Sequence, residues 1–299
     1  VKELLLNQFT IKDLENLSGI KAHTIRIWEQ RYGFIKPGRT KTNIRYYSGD
    51  ELRTLLNVSL LNKFGFKVSH INKMSTEEVK DKILSIDNAG AQQERLVNEM
   101  IQHMINIRMD HFETLLDNFI SLKGIEKSIS FLIFPFLEKV GILWLTNHIK
   151  PAQEHLVSNI IRQKLIVGID KTSKPIMPQK NVLLFTPEGE YHELGLLYMQ
   201  YIFKSRGFAV TYLGASVPIK DVVFIENILK PDYLYTHLTS VTKNFKLDHY
   251  MANISTQIPS TPLIISGAVA ASWNKSSPNT ITLKKTIAEV MEFIALLQA

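Results

Sequence analysis

From about residue 180 onward, short apolar runs alternate with amphipathic stretches: "NVLLF", "HELGLLYMQYIFKSRG", "FAVTYLG", "IKDVVFIENILK", "DYLYTHL" and "TPLIISG". A short apolar run bounded by turns is the pattern of a strand buried on both faces, and a stretch with helical period between two such runs serves as a crossover. This alternation leaves few choices. Strands joined through helices run parallel, with helices covering both faces, which predicts a flavodoxin-like (Rossmann-type) α/β domain over residues 181–299. Ligands of such sheets sit beyond the carboxyl ends of the strands. The first strand runs into "EGEYHELG", so Glu190, His192 and Gly195 are expected at that edge. Gly214-Ala215-Ser216 after the second strand and Gly267-Ala268 after the fourth are expected beside them.

Upstream the period changes. Residues 75–168 carry helical patterns interrupted near "DNAG", "RMD", "SLKG" and "NHIKP", which predicts a bundle of four or five helices with a linker over 169–180. Ser75 and Glu78 have capping-box spacing at its start. Residues 1–74 are different again. They hold 13 Lys and Arg against 6 Asp and Glu, so the whole chain's net charge of +7 resides in its first quarter. A cationic module joined to a neutral body is the pattern of a polyanion binder. Within it, Ile11, Leu14 and Leu17 give one short helix an apolar face, and Ser18-Gly19 ends it. Ile20, Ile25 and Trp28 anchor a second helix that offers Lys21, His23, Arg26, Gln30 and Arg31. That is a helix-turn-helix, whose second helix enters the major groove. "FIKPGRTKTNIRYYSGDEL" then reads as a small wing followed by a capped helix, Ser48 to Glu51. Trp28 and Tyr47 are expected in the core rather than on DNA.

There are no cysteines, which excludes disulfides and thiolate metal sites. No apolar run approaches the ~20 residues of a membrane span, and no signal-peptide pattern opens the sequence, so a soluble, cytoplasmic protein without membrane contact is expected.

The chemistry of "EGEYHELG" is specific. A carboxylate beside an imidazole fixes its tautomer and raises its basicity. No second His or Cys lies nearby, so His192 suits a metal already held by an organic macrocycle better than a bare ion. Gly195 lets the backbone approach something bulky. A histidine that merely caps the loop is the plainer alternative.

Three resemblances follow, in chain order. "TIRIWEQRYGFIKPGRTKTNIRYYSGDELRTLLNVSLLNKFGFKVSHI" resembles the winged helix of MerR-family transcription regulators. The resemblance implies operator DNA as partner, with Lys21, Thr24, Arg26, Arg31 and Tyr32 on the recognition side and Arg39, Arg45 and Tyr46 at the wing. Glu190-x-His192-x-x-Gly195 resembles the signature of cobalamin-binding domains, which implies His192 as the cobalt's lower ligand. Trp144 followed by Glu154-His155 resembles the signature of the light-sensing, cobalamin-dependent branch of the MerR family (the CarH/LitR group). There the bundle caps the cofactor's upper face.

The whole resemblance implies a light-responsive transcription repressor, not an enzyme, that binds adenosylcobalamin or else methylcobalamin and forms a homodimer or homotetramer. The cofactor set it implies is Trp144, Glu154, His155, Glu190, His192, Gly195, Ser216, His237, Thr239, Gly267 and Ala268. Three positions depart from the pattern. Leu145 stands where light-sensing relatives can carry a histidine, His237 stands at a serine position, and Ala268 replaces a glycine. The alternative is a MerR-type regulator of the same fold that acts without bound cobalamin, through oligomerisation or a protein partner.

Overall fold

A computed structural model describes residues 8–145, 149–172, 180–241 and 245–298. The chain divides into two compact units, Val1–Ile160 and Ile161–Ala299.

In the first unit, α1 (Ile11–Ser18) and α2 (Ala22–Tyr32) form the helix-turn-helix. Thr10 and Asp13 form a reciprocal capping box at the start of α1. β1 (Gly38–Arg39) and β2 (Arg45–Tyr46) pair antiparallel as the wing. α3 (Gly49–Lys63) follows, opened by the Ser48–Glu51 capping box that its sequence predicts, and then the short α4 (Val68–Ile71). Phe9, Leu14, Ile25, Trp28, Ile35 and Tyr47 are buried together with the apolar face of α3, so Trp28 and Tyr47 are core residues.

The helical stretch comprises α5 (Thr76–Leu84), α6 (Ala89–Ile105), α7 (Met109–Ser128), α8 (Phe134–Leu145) and α9 (Pro151–Asp170). The breaks near "DNAG", "RMD" and "SLKG" fall where the sequence places them, while part of "NHIKP" and most of the expected 169–180 linker lie outside the described residues, and α9 runs on to Asp170. Asn88 caps α6, Gly124 kinks α7, and a π-helical segment, Ile129–Ile133, joins α7 to α8. Met100, Met104, Phe112, Phe136 and Leu143 fill the interior.

The second unit holds a parallel sheet of β3 (Asn181–Pro187), β4 (Ala209–Val217), β5 (Tyr233–His237), β6 (Leu263–Ser266) and β7 (Ile281–Lys284). The order across the sheet is β4-β3-β5-β6-β7, all parallel. This is the doubly wound order of a flavodoxin-like fold, and it reverses between β3 and β5. The crossover helices are α10 (Leu194–Ser205), α11 (Ile219–Leu229), α12 (Leu247–Gln257) and the one-turn α13 (Ala268–Ala271); α14 (Ile287–Gln298) closes the unit.

Two local expectations are corrected. Helix α10 starts at Leu194 rather than at His192, which leaves His192 in the loop. Gly214-Ala215-Ser216 lies inside β4 rather than after it. The strand passes a register shift opposite Leu184 and Phe185 and resumes pairing at Val217 with Pro187. Gly214 and Ser216 both take positive φ there, the irregular backbone that a bulge needs.

Candidate functional site

The loop between β3 and α10 is held by short-range bonds before any ligand is considered. Thr186 is buried, and its hydroxyl donates to the Glu190 carbonyl at 2.6 Å while accepting the Ser216 N–H at 2.9 Å. The Gly189 N–H donates to Ser216 Oγ at 3.0 Å. These contacts set Glu190 with its side chain turned inward, 1% exposed.

A carboxylate buried that deeply needs donors, and it has three. Glu190 Oε1 accepts the His192 backbone N–H at 2.8 Å and His192 Nδ1 at 2.7 Å. Oε2 accepts the Ser240 backbone N–H at 2.8 Å. Ser240 lies beyond β5, and the sheet order puts the loops after β3 and β5 side by side at the point of reversal. Glu190 therefore clamps the two loops that flank the crevice where this fold holds ligands. Burial alone pushes its carboxyl pKa up, but the bonds from His192 and Ser240 outweigh this and hold it below the ordinary value. An ionised carboxylate only accepts, so Nδ1 of His192 carries the proton and Nε2 is the basic nitrogen, the atom that can take a metal. The His192 side chain is 61% exposed, although the carboxylate that orients it is buried. Next to it, Glu193 is tied by Arg162 at 3.0 Å and by the Tyr212 hydroxyl at 3.0 Å.

The floor of the crevice belongs to His237, the last residue of β5. Its Nδ1 lies 2.8 Å from Ser266 Oγ, and that hydroxyl is in turn 2.6 Å from the Tyr235 hydroxyl. Burial lowers the His237 pKa to about 4, only partly offset by Glu190, so the ring is neutral near pH 7. The ring lies against Gly195. A methyl group at Gly195 would come within 3.0 Å or less of three imidazole atoms. The close approach that a glycine permits is present, and the neighbouring group is His237. Gly267, with φ +98°, lies equally close to the Leu238 backbone. Thr239 and Ala268 are exposed.

Of the residues expected around a cofactor in this unit, the structure thus joins Glu190, His192 and Ser216 into one network and sets Gly195 against His237. Thr186, Ser240 and Ser266 escaped the sequence reading. Each acts across strands, 30 or more residues from Ser216, Glu190 or Tyr235 in the chain, and no local spacing marks such a pairing.

In the first unit, Trp144 is 47% exposed near the end of α8. Glu154 and His155 pair with each other at 3.1 Å in the first turn of α9. Leu145's side chain lies outside the described residues. On the winged helix, Arg26 and Arg31 are exposed on α2, and Arg31 lies over the Tyr32 ring. Tyr32 stacks on Phe34. Lys21 pairs with Glu15 at 3.4 Å, and Thr24 Oγ1 lies 3.3 Å from His23. Arg39 donates to Asn43 within the wing at 2.7 Å. Arg45 pairs with Glu29 of α2 at 3.1 Å, so it also fixes the wing to the helix, and Tyr46 lies against Gly38.

No helix among the described residues is long and apolar enough to cross a membrane, and none of their His, Asp and Glu side chains cluster as a bare-ion site. A cobalt already held in a macrocycle needs only one protein donor, which His192 Nε2 can supply. The donor chemistry of His192, held by Glu190, therefore fits a corrinoid cobalt. The floor beneath it is taken by the His237 ring.

Residues 9–78 match the MerR HTH family regulatory protein model, and residues 96–167 match a B12 binding domain model. The second match falls on helices α6 to α9, not on the sheet. The HTH-type transcriptional repressor CarA of Myxococcus xanthus is 31% identical over 211 residues, covering 70% of this chain and 68% of that protein. The repressor CarH of the same organism is 25% identical over 271 residues, covering 88% and 90%. The monomethylamine corrinoid protein of Methanosarcina barkeri shares the fold over 68% of this chain and 99% of its own length, with a TM-score of 0.56 at 14% identity. The chain belongs to the MerR-type transcription regulators that carry a B12-binding domain, the family of the CarA and CarH repressors.

Proposed function

We propose that this protein is a cobalamin-dependent, light-responsive repressor that binds operator DNA through residues 1–74 as a homodimer or homotetramer in the cytoplasm. The observation that carries the reading is the Glu190–His192 pair, locked across the sheet's point of reversal by Ser240. Bound cobalamin, as adenosylcobalamin or methylcobalamin, supplies a cobalt–carbon bond that light can break. The chain's own residues do the rest. Glu190 holds the proton on Nδ1 and would leave Nε2 of His192 free to hold the cobalt. Trp144, Glu154 and His155 are the residues of the helical stretch that would contact the bound cofactor, and Arg26, Arg31, Arg39 and Arg45 would neutralise phosphates.

The test is a visible spectrum of the full chain mixed in the dark with adenosylcobalamin, then lit with green light, for wild type and His192→Ala. A histidine-ligated spectrum that changes on illumination, and is missing from the variant, is expected. Identical spectra from the two proteins would remove the ligation. A second reading, regulation by the same fold without cobalamin, is favoured by one observation: the His237 ring fills the floor against Gly195. Absence of any bound corrinoid in the wild type would select it.

A further inference from the structure

A second cavity, about 480 Å³ in volume, opens in the first unit among α3, α5 and α6. Its wall gathers four cations: Arg53, Lys80, Arg95 and Arg108. Two have carboxylate partners, Asp50 for Arg53 and Glu99 for Arg95. Glu99 is the one carboxylate in the lining, so the cavity's charge is strongly positive.

The amides in the wall are more telling than the charges. Asn98 is 6% exposed, and its Oδ1 accepts from Lys139 Nζ at 2.6 Å. The ammonium fixes the amide's orientation, because the reverse would set two donors against each other. The Asn98 NH2 therefore points away from Lys139, and it is buried without a partner. Gln102 Nε2, in the same wall, is also buried without a partner. A buried donor left unmade costs roughly 1–3 kcal/mol, and native folds rarely keep two in one place without use. Leu56 and Ile83, both buried, supply an apolar floor.

We infer that this cavity is a binding site for a small organic anion, a phosphate or a carboxylate with a compact apolar body. The acidic oxygens accept from Asn98 and Gln102 and face Lys80 and Arg108, while the body rests on Leu56 and Ile83. The site is independent of the crevice at His192. It also differs from the DNA-binding surface, although its wall includes α3, which packs in the winged-helix core.

The full-length chain is titrated calorimetrically at fixed salt with phenyl phosphate, benzoate and benzyl alcohol. Saturable binding of at least one anion, and none of the neutral alcohol, is expected; which anion binds tells phosphate from carboxylate. Asn98→Asp keeps the Lys139 bond, removes the donor and adds a repelling charge, so it should weaken binding at least tenfold. Arg108→Gln and Lys80→Gln, both at exposed positions, should weaken it several-fold and carry the test should the Asn98 variant not fold. The double variant Arg26→Ala/Arg39→Ala should bind as wild type does. No saturable binding of either anion would overturn the assignment. So would affinity indifferent to Arg108→Gln and Lys80→Gln, or affinity lost in the Arg26/Arg39 variant.

Discussion

The loop after β3 and the wing of the N-terminal domain both present functional side chains, but they position them by opposite means. At the loop a single buried carboxylate accepts three donors from two segments 48 residues apart, and one exposed imidazole is the product. At the winged helix the cations lie at or near the surface, and three of them are steadied by a neighbour: Glu15 for Lys21, Asn43 for Arg39, Glu29 for Arg45. The first arrangement suits one bond of fixed direction. The second suits many weak contacts to a repeating polyanion. Substitutions in the loop should therefore act nearly all-or-none, and substitutions in the wing by degrees.

The largest effect is expected at Glu190. Glu190→Ala removes the shared acceptor of the His192 and Ser240 backbone N–H groups and of His192 Nδ1, and hydrogen bonds to a charged group are each worth about 1.5–3 kcal/mol. A stability loss of about 3–5 kcal/mol by denaturant unfolding is expected. Corrinoid binding should also fall about 10–100-fold, up to the loss in His192→Ala, because the imidazole is then present but unoriented. If Glu190→Ala retained both stability and binding, the contrast between the two regions would collapse.

His237 gives the next largest effect, and it is a pH effect. Its ordinary pKa is 6.5, and burial lowers it to about 4 in the fold. Between those values the unfolded chain binds more protons than the folded one. Stability therefore rises with pH through this window, is fully present above 6.5, and is lost as pH falls toward 4. The shift corresponds to about 3 kcal/mol. His237→Ser should flatten the stability profile between those limits. Glu190 adds a smaller term of its own. Its lowered pKa gives stability that is present above the ordinary carboxylate range and lost on further acidification through the folded value. His237→Ser should also raise cobalamin affinity while leaving the affinity for cobinamide, a corrinoid without the nucleotide tail, unchanged. Equal gains for both would show that the ring does not obstruct the tail.

These two residues also mark where the sequence is legible. Capping boxes, the wing's turn and the helix breaks at Asn88 and Gly124 depend on neighbours in the chain, and they read directly. So does Glu190 beside His192, two residues away. The contact of Gly195 with His237 does not, because it joins residues 42 apart through strand order. Spacing announces that a glycine will be approached closely, not by what. Strand β7 escaped for a different reason: "ITLK" is short and half polar, as an edge strand tends to be.

The smallest effects belong to the winged helix, and two arginines separate their causes. Arg26 is exposed on α2, and no ion pair of it is among those described. Its replacement by alanine should leave stability unchanged, weaken operator binding modestly, and lower the slope of log affinity against log salt by about one. Arg45 is one-third exposed and bonded to Glu29, which also accepts from the Tyr47 hydroxyl. Arg45→Ala removes a proposed phosphate partner and also loosens the wing from α2. The same change in salt slope is expected, together with a stability loss of no more than about 1 kcal/mol, since the pair is partly solvated. Gel-shift titrations across a salt series and parallel unfolding curves measure the two quantities. A slope unchanged in Arg45→Ala, with the stability loss present, would make Arg45 a residue that shapes the wing rather than one that touches DNA.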